Sequence, residues 1–307
     1  MKLRQLETLR VVAETGSLQE AARRLFVTQP AVSRSIRELE GELGISLLVR
    51  SARGATLTPY AVSILKRARV IDREVHRIIE DVESMRGARN GQLTLAISPP
   101  ASSQALASAL TELVTARAGV KIQVFEWRPE QIAEGLRDGT IDMGLFSQYK
   151  EPQTTSFEWL PLYKLDSLLT ISKDYTGPLK LSIEQLHELP WLSTDSSGDT
   201  SSFIPTLFGN HNMPPPERIL RCASVFLLGE LAFRMPAVSY WAETGLPYLD
   251  AYFQNGMLKR LDVQDGTPTA VTYLAYPSED LLTATARDFV ARLLHKIKCD
   301  KKEGRLK

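Results

Sequence analysis

The sequence has no apolar run approaching the roughly 20 residues that a membrane-spanning helix needs. Its first ten residues, MKLRQLETLR, include Glu7 and lack the apolar stretch of a secretory signal peptide. Cysteine and histidine are scarce: Cys222 and Cys299 form no CxxC pair, and the four histidines have no metal-ligand spacing. These absences predict a cytoplasmic protein with free thiols, no metal site and no membrane association.

Recognisable catalytic motifs are missing as well. The chain has no GxSxG elbow, no Gly-rich phosphate loop and no HExxH helix, and its acidic residues suggest no catalytic pair. We therefore assign no catalytic residue, no metal ligand and no cofactor. An enzyme built on the C-terminal two thirds of the chain remains an alternative interpretation, which a turnover screen would test.

The small net charge of +1 is unevenly distributed along the chain. Residues 1–90 carry +5, residues 91–294 carry −8, and the segment from His295 to the C-terminus carries +4. A basic N-terminal end permits a polyanionic partner there. The basic residues at 297–307 predict a solvated, mobile tail.

Two helices joined by an abrupt turn are predicted near the N-terminus, after a first helix over 3–14. Apolar residues recur at helical spacing in that first helix, and Gly16 ends it. Ser17 and Glu20 have the S-x-x-E spacing of a capping box, which starts the second helix. Small residues in that helix permit close packing, and the turn follows at VTQP.

The third helix begins at Thr28, a good N-cap, with Pro30 in the first turn, where a missing N–H costs little. Val32, Ile36 and Leu39 form a stripe that should face a core. Side chains suited to base edges and phosphates occupy another face: Gln29, Ser33, Arg34 and Arg37. Entry into a DNA major groove by the N-terminal half is one interpretation, and a plain helical hairpin with a solvated face is the other.

Two short strands around Gly54 are predicted over residues 46–58, SLLVRSARGATLT. Arg50 and Arg53 project from this hairpin, where a wing would touch phosphate or the minor groove. A surface hairpin with two solvated arginines is the alternative. The predicted DNA contacts are Thr28, Gln29, Pro30, Ser33, Arg34, Arg37, Arg50 and Arg53.

The stretch SLQEAARRLFVTQPAVSRSIRELEGELGISLLVRSARGATLTPYA resembles the N-terminal winged helix-turn-helix of LysR-type transcriptional regulators. The features that match are AA…L…TQPAVSR.I..LE.ELG, the LLVR strand and the R…LT wing, in register over about 60 residues. The resemblance implies a DNA-binding domain over 1–58, with the helix-turn-helix at about 17–36 and the wing at 46–58. It also implies double-stranded operator DNA and RNA polymerase as partners.

A long charged helix is predicted next, and we assign residues 59–88 as a linker and dimerisation helix. Apolar side chains in it follow the 3-4 spacing of a coiled-coil seam: Ala68, Ile71, Val75, Ile78, Val82 and Met85. A homodimer suits a palindromic operator, and a homotetramer stays open. The alternative is an amphipathic helix packed on its own domain.

From Gly91 onward, strands alternate with helices, which is typical of parallel α/β units. The order occurs twice and predicts two βαβαβ lobes with a crossing region at 157–171. This α/β part resembles the effector domain of LysR regulators, which is similar to type 2 periplasmic binding proteins. The effector-binding domain is expected over 91–296, with lobe I at about 91–162 and 267–296 and lobe II at about 163–266.

Ligands of open α/β sheets bind beyond the carboxyl ends of the strands. Ser102 and Ser103 open a helix whose free N–H groups suit an anion. Arg128 would pair either with a carboxylate on the ligand or with a neighbouring Glu. Tyr240 and Trp241 either line the pocket or pack in the core. The candidate effector-binding residues, which equally suit caps and turns, are Ser98, Pro99, Pro100, Ser102, Trp127, Arg128, Ser147, Thr194, Ser196, Ser197 and Thr200.

The resemblance implies a sequence-specific transcriptional regulator whose activity is modulated by a small-molecule effector bound between the two lobes. A solute-binding protein sharing the same lobes is the second interpretation, and it leaves the first 90 residues without a role. The effector's identity and the choice between activation and repression are not encoded in any motif.

Overall fold

The computed structural model describes residues 1–51, 54–86, 90–152, 156–195, 198–264 and 266–306. The chain divides into two compact units. The first comprises Met1–Arg86 with Arg137–Thr140, and the second comprises Gly87–Leu136 with Ile141–Lys307. Within the described ranges, no helix is both long enough and apolar enough to cross a membrane.

The first unit is a helical bundle with a two-stranded hairpin. Its elements are α1 (Leu3–Thr15), α2 (Leu18–Arg24), α3 (Gln29–Leu43), β1 (Leu48–Ser51), β2 (Gly54–Leu57) and α4 (Pro59–Met85). The helices that the sequence predicts are therefore present, and so is the hairpin.

Two left-handed glycines end helices of this unit: Gly16 at φ 63° after α1 and Gly44 at φ 67° after α3. Ser17 Oγ accepts a hydrogen bond from the Glu20 N–H at 3.4 Å and caps α2. The other half of the predicted capping box is wrong, because the Glu20 carboxylate pairs with Arg23 at 3.3 Å instead.

The core of the first unit forms where the periodicity predicts it. Val32, Ile36 and Leu39 are at most 1% exposed. Ala21 and Ala22 of α2 are almost fully buried, and small side chains at these positions allow α2 to pack closely on its neighbours. Burial of this apolar face, at about 25 cal/mol per Å², is what stabilises such short helices.

The second unit contains eleven strands and seven α-helices among its described residues. The strands are β3 (Asn90–Ile97), β4 (Gly119–Glu126), β5 (Met143–Gln148), β6 (Glu158–Leu165), β7 (Ser167–Ser172), β8 (Lys180–Leu181), β9 (Trp191–Ser193), β10 (Ile219–Arg221), β11 (Val238–Ala242), β12 (Leu258–Val263) and β13 (Ala270–Tyr276). The helices are α5 (Gln104–Ala116), α6 (Pro129–Arg137), α7 (Ile183–His187), α8 (Phe203–Gly209), α9 (Val225–Arg234), α10 (Leu246–Gln254) and α11 (Ala284–Lys302).

These strands form two sheets of mixed direction. The first has the order β4-β3-β5-β13-β6, in which β3 runs parallel to β4 and β5 while β13 is antiparallel to both of its neighbours. The second has the order β10-β9-β11-β7-β12-β8, with β9 parallel to β10 and β11. The predicted α/β fold class is confirmed, and antiparallel strands complete each sheet.

The chain passes from the first sheet to the second between Leu165 and Ser167, and returns between Val263 and Ala270. The predicted lobe boundary near 162 lies inside β6, whose pairing with β13 continues to Leu165. That boundary is therefore too early, because continuous ladder hydrogen bonds, rather than a change in composition, decide where the strand ends.

The predicted mobile tail at 297–307 is wrong. Helix α11 continues to Lys302, and within it Ile297 is 4% exposed and Asp300 is 6% exposed. Arg305 Nε donates to Asp300 Oδ1 at 3.1 Å, and Leu306 packs against the core of the first sheet. The charge count overlooked that one helical face of this segment is apolar.

Replacing Ile297 with alanine should destabilise the protein by about 2–5 kcal/mol, because a buried aliphatic side chain is removed from the core. The unfolding midpoint in urea measures this effect. Lys298→Ala is the control, since Lys298 is exposed on the same helix and should change stability by less than about 0.5 kcal/mol. Equal effects of the two substitutions on stability would contradict burial of Ile297 and would support the sequence-based prediction of a solvated tail.

Candidate nucleic-acid interface and ligand cavity

The N-terminal half of α3 presents polar side chains to solvent. Thr28, Gln29, Pro30 and Arg34 are exposed. Thr28 adopts the extended N-cap conformation, but its side chain makes no cap hydrogen bond, so the hydroxyl is available to a ligand. Arg34 forms no hydrogen bond or ion pair with any described residue, and its guanidinium is therefore free for an incoming partner.

Ser33 is placed differently from the prediction. It is 8% exposed, its carbonyl accepts from Arg37 Nε at 3.2 Å, and its Oγ accepts from Arg37 Nη2 at 3.2 Å. Little of Ser33 is left to meet DNA, because the core-facing side of α3 extends to this position. We assign Ser33 to holding the exposed Arg37 side chain along the helix.

The predicted wing is an antiparallel hairpin in which Leu48 pairs with Leu57 and Arg50 pairs with Ala55. Glu40 Oε1 accepts from the backbone N–H groups of Leu47 (2.7 Å) and Leu48 (3.2 Å), which ties the first strand to α3. Arg50 lies on β1, but its side chain is outside the described part of the structure, and Arg53 lies outside the described residues altogether. Their DNA contacts remain predictions.

Phe26 is a feature that sequence reasoning missed. This residue lies in the turn between α2 and α3, has φ 55° and is 95% exposed. A left-handed conformation costs a residue with a Cβ roughly 1–2 kcal/mol. Because the phenyl ring is exposed, its burial contributes no stability in the free protein that would offset this cost. Such strain at an exposed turn is typical of a functional site.

A cavity of about 300 Å³ lies within the second unit, where strands of its two sheets end. Many candidate effector-binding residues line it: Ser98, Pro99, Pro100, Trp127, Arg128, Ser147 and Thr194. Ser196 and Ser197 lie outside the described residues.

Ser102 and Thr200 do not line the cavity, which corrects the prediction for both. Ser102 is exposed and follows a short 3-10 turn at Pro99–Ala101. Its neighbour Ser103 caps α5, with Oγ accepting from the Leu106 N–H at 3.3 Å. The helix start that was expected to suit an anion is thus capped by its own chain.

Hydroxyl groups hold one wall of the cavity together. Ser98 Oγ accepts from the Ser147 N–H at 3.2 Å, and the Ser98 N–H donates to the Leu145 carbonyl at 2.8 Å. Ser147 Oγ lies 2.7 Å from Thr272 Oγ1 on β13. These bonds join the end of β3 to β5, and β5 to β13, on this wall of the cavity.

A polar cluster that the sequence did not reveal lies on another wall, with Ser193 buried and with Asp195 and Tyr240 partly buried. Tyr240 Oη donates to Asp195 Oδ2 at 2.5 Å, and Ser193 Oγ donates to the same oxygen at 3.0 Å. Burial raises the pKa of the Asp195 carboxyl above its ordinary value. Burial, together with the neighbouring Asp195, also raises the pKa of the Tyr240 phenol.

Aromatic rings form much of the remaining wall. The Phe203 and Tyr240 rings stack with centroids 4.5 Å apart, and Tyr149 lies 5.7 Å from Phe203. Tyr240 therefore lines the cavity, whereas Trp241 packs in a core cluster and donates its indole N–H to Thr170 Oγ1 at 2.9 Å. Residues 195, 203 and 240 come together only in the folded chain.

Comparison with known proteins agrees with both parts of this arrangement. Residues 3–62 match the family model described as bacterial regulatory helix-turn-helix protein, lysR family, and residues 86–298 match the LysR substrate binding domain. The crystal structure of full-length CbnR complexed with its target DNA covers 97% of this chain and 99% of its own, with a TM-score of 0.67 and 22% identity, so it shares the fold.

Two curated relatives match over part of their length. A probable HTH-type transcriptional regulator, LrrA of Synechococcus elongatus, is 32% identical over 52% of this chain and 54% of its own. The HTH-type transcriptional regulator TdcA of Escherichia coli is 25% identical over 68% of this chain and 67% of its own. The match thus spans about half of the first relative. Because the substrate-binding model alone covers more than half of the sequence, this chain belongs to the LysR family of DNA-binding transcriptional regulators.

Proposed function

We propose that this protein binds double-stranded operator DNA through α3 and the hairpin of the first unit, and that a small molecule in the cavity of the second unit modulates its effect on transcription. The observation that carries the proposal is the exposed start of α3, where Gln29 and the unpartnered Arg34 stand on a helix whose opposite face is fully buried. A helix of this kind is what the major groove accommodates.

The side chains on α3 suit distinct parts of DNA. Arg34 can donate two hydrogen bonds to guanine, and Gln29 can bridge the edge of adenine. The free hydroxyl of Thr28 and the backbone N–H of Gln29 suit a phosphate, since Pro30 has no N–H and the next two N–H groups donate to the Thr28 carbonyl. Arg50 and Arg53 on the hairpin are proposed to contact the adjacent backbone or the minor groove.

Substituting Phe26 with asparagine should stabilise the protein and weaken DNA binding. Asparagine tolerates φ 55° better than phenylalanine, so we expect a gain of about 1 kcal/mol in the free energy of unfolding. Loss of an exposed ring beside α3 should lower operator affinity about three- to tenfold, if the ring contributes about 1 kcal/mol. Thermal denaturation and fluorescence anisotropy measure the two effects.

Phe226→Asn is the matched control for this substitution. Phe226 is 92% exposed but lies in helix α9 of the second unit, with ordinary helical backbone angles. It should give neither the gain in stability nor the loss of affinity. If Phe26→Asn behaved like Phe226→Asn in both measurements, the proposed role of Phe26 would be wrong.

Helix α4 carries an apolar stripe that we propose as the dimer interface. Ile71, Ile78, Val82 and Met85 are 36%, 64%, 43% and 86% exposed, and Val75 is half-buried. A contiguous exposed apolar stripe is typical of an interaction surface. Ala68 does not belong to it: that residue is 6% exposed and packs in the core of the first unit.

The proposed homodimer, or a homotetramer built from it, would place two recognition helices on two half-sites of one operator. Effector binding would shift the arrangement of protomers and thereby change contact with RNA polymerase. The protein would act in the cytoplasm and perform no catalysis, since the cavity groups described above serve recognition.

A selection of genomic fragments bound by the purified protein tests the proposal, followed by anisotropy on an enriched fragment and on random DNA of equal length. We expect selective binding that weakens steeply as salt rises, because phosphate contacts release counterions. Equal affinity for both DNAs at every salt concentration would contradict the proposed function.

A further inference from the structure

The charge of the cavity lining is strongly negative. Among the described lining residues, Glu126, Glu130, Asp195 and Asp199 are acidic, and Arg128 alone is basic. Asp199 Oδ1 already accepts hydrogen bonds from the N–H and the Oγ of Ser201, so part of this carboxylate is satisfied within the loop. An anionic ligand would enter against this field and would have only one exposed guanidinium to meet it.

Asp195 has hydroxyl partners but no cationic partner. Its Oδ2 accepts from Tyr240 and Ser193, and no lysine or arginine of the described chain forms an ion pair with it. A carboxylate that is partly withdrawn from water and lacks a cation resists ionisation. A ligand cation placed in the cavity would supply the missing counter-charge.

The aromatic walls favour the same ligand charge. Trp127, Tyr149 and Tyr240 line the cavity and are partly exposed, whereas the Phe203 ring, which also borders it, is 1% exposed and is covered by the Tyr240 ring. The face of an aromatic ring carries negative potential and attracts an ammonium or guanidinium group. An acidic group flanked by several rings is an arrangement that binds organic cations more tightly than neutral molecules of the same shape.

A further lining residue requires an acceptor. Gln148 lines the cavity, and its amide nitrogen is buried and has no hydrogen-bond partner. An unsatisfied buried donor is costly, and buried donors are normally paired. This nitrogen is enclosed in the free protein, so a carbonyl, carboxylate or hydroxyl oxygen on the ligand would satisfy it once the Gln148 side chain turns toward the cavity.

We propose that the effector of this cavity is a small organic cation, an amine or guanidine whose charged group pairs with Asp195 among the aromatic rings and whose oxygen acceptor meets Gln148. This inference rests on the proposed function, because it names the class of molecule that the regulator senses. The sequence left the effector's identity open and suggested an anion only at the helix start beside Ser103 and, as one of two options, at Arg128.

Three five-carbon amides of matched shape test the inference on the full-length protein: 5-aminopentanamide (cation), pentanamide (neutral) and glutaramate (anion). Calorimetric titration into the millimolar range measures the affinity of each. We expect the cation to bind at least about tenfold more tightly than the other two. Tighter binding of the anion or of the neutral amide would overturn the inference, and so would absence of binding by the cation.

Asp195→Asn tests the assignment of the charge partner. Asparagine keeps the size of the side chain and an oxygen that accepts from Tyr240, and it should remove most of the preference for the cation while leaving the affinity for pentanamide nearly unchanged. Retained affinity for pentanamide shows that the variant is folded. Asp250→Asn, an equal change of charge at an exposed position on α10, is the control and should keep the preference.

Operator DNA distinguishes failure of this inference from failure of the proposed function. If an anion binds in the cavity and changes operator affinity, the proposed regulatory function is supported and the inference of a cationic effector is wrong. If 5-aminopentanamide binds through Asp195 but no cavity ligand changes operator binding, the ligand class stands and the proposed coupling is wrong.

Discussion

Replacing Arg34 with alanine should lower the affinity for operator DNA about 5- to 150-fold, while affinity for random DNA changes little. The range follows from the roughly 1–3 kcal/mol that a bidentate arginine–guanine pair contributes to discrimination. Arg34 is exposed and without a partner on α3, so its removal breaks no contact that stabilises the free protein. Fluorescence anisotropy on both DNAs measures the effect.

Arg221→Ala serves as the control for charge, because Arg221 is an exposed arginine of the second unit. It changes the net charge equally and should leave the ratio of operator to random affinity unchanged. If the Arg34→Ala substitution lowered the affinity for both DNAs equally, Arg34 would contact a phosphate and not a base. If it left both affinities unaltered, Arg34 would not belong to the DNA interface.

Replacing Ile78 with aspartate should convert the oligomer to monomers and lower operator affinity on the order of a hundredfold or more. Ile78 is 64% exposed in the middle of the α4 stripe, and pairing would bury it against a second chain. An aspartate there would be buried without a cation, which costs several kcal/mol. A monomer would also lose the effective concentration that links two half-sites.

Sedimentation velocity measures the oligomeric state of this variant, and anisotropy measures its affinity. His76→Asp is the matched control, since His76 is exposed on α4 next to Val75 but off the apolar stripe. It should remain oligomeric. If the Ile78→Asp variant kept the mass and affinity of the wild type, the dimer interface would lie elsewhere.

The helices of the first unit were predictable because local rules agree with the packing. Val32, Ile36 and Leu39 repeat at helical spacing and are buried, and Gly16 and Gly44 end helices in the left-handed conformation that glycine favours. The periodicity did not reveal that the buried face also takes in Ser33, because the width of that face depends on how α3 packs on its neighbours.

The cavity was predictable only in part. Residues expected to follow the first three strands of this part were placed there, because strand ends in α/β sheets mark ligand sites. Several of them line the cavity, although Ser147 is the penultimate residue of β5 and does not follow it. Asp195, Gln148 and Phe203 were missed, since no spacing along the chain connects them. Helix α10 and strand β12 were not predicted either, because Pro247 and the clustered aromatic residues of this segment show no clear helical or strand periodicity.

The most direct test of the account is a footprint of an enriched operator with and without a ligand that binds the cavity. The ligand is first identified by calorimetry and shown to lose affinity in the Asp195→Asn variant. We predict that saturating ligand changes the protected positions or their extent, because we propose that ligand and DNA binding are coupled through the oligomer. An identical footprint at saturation would contradict the claim that this protein is an effector-responsive regulator.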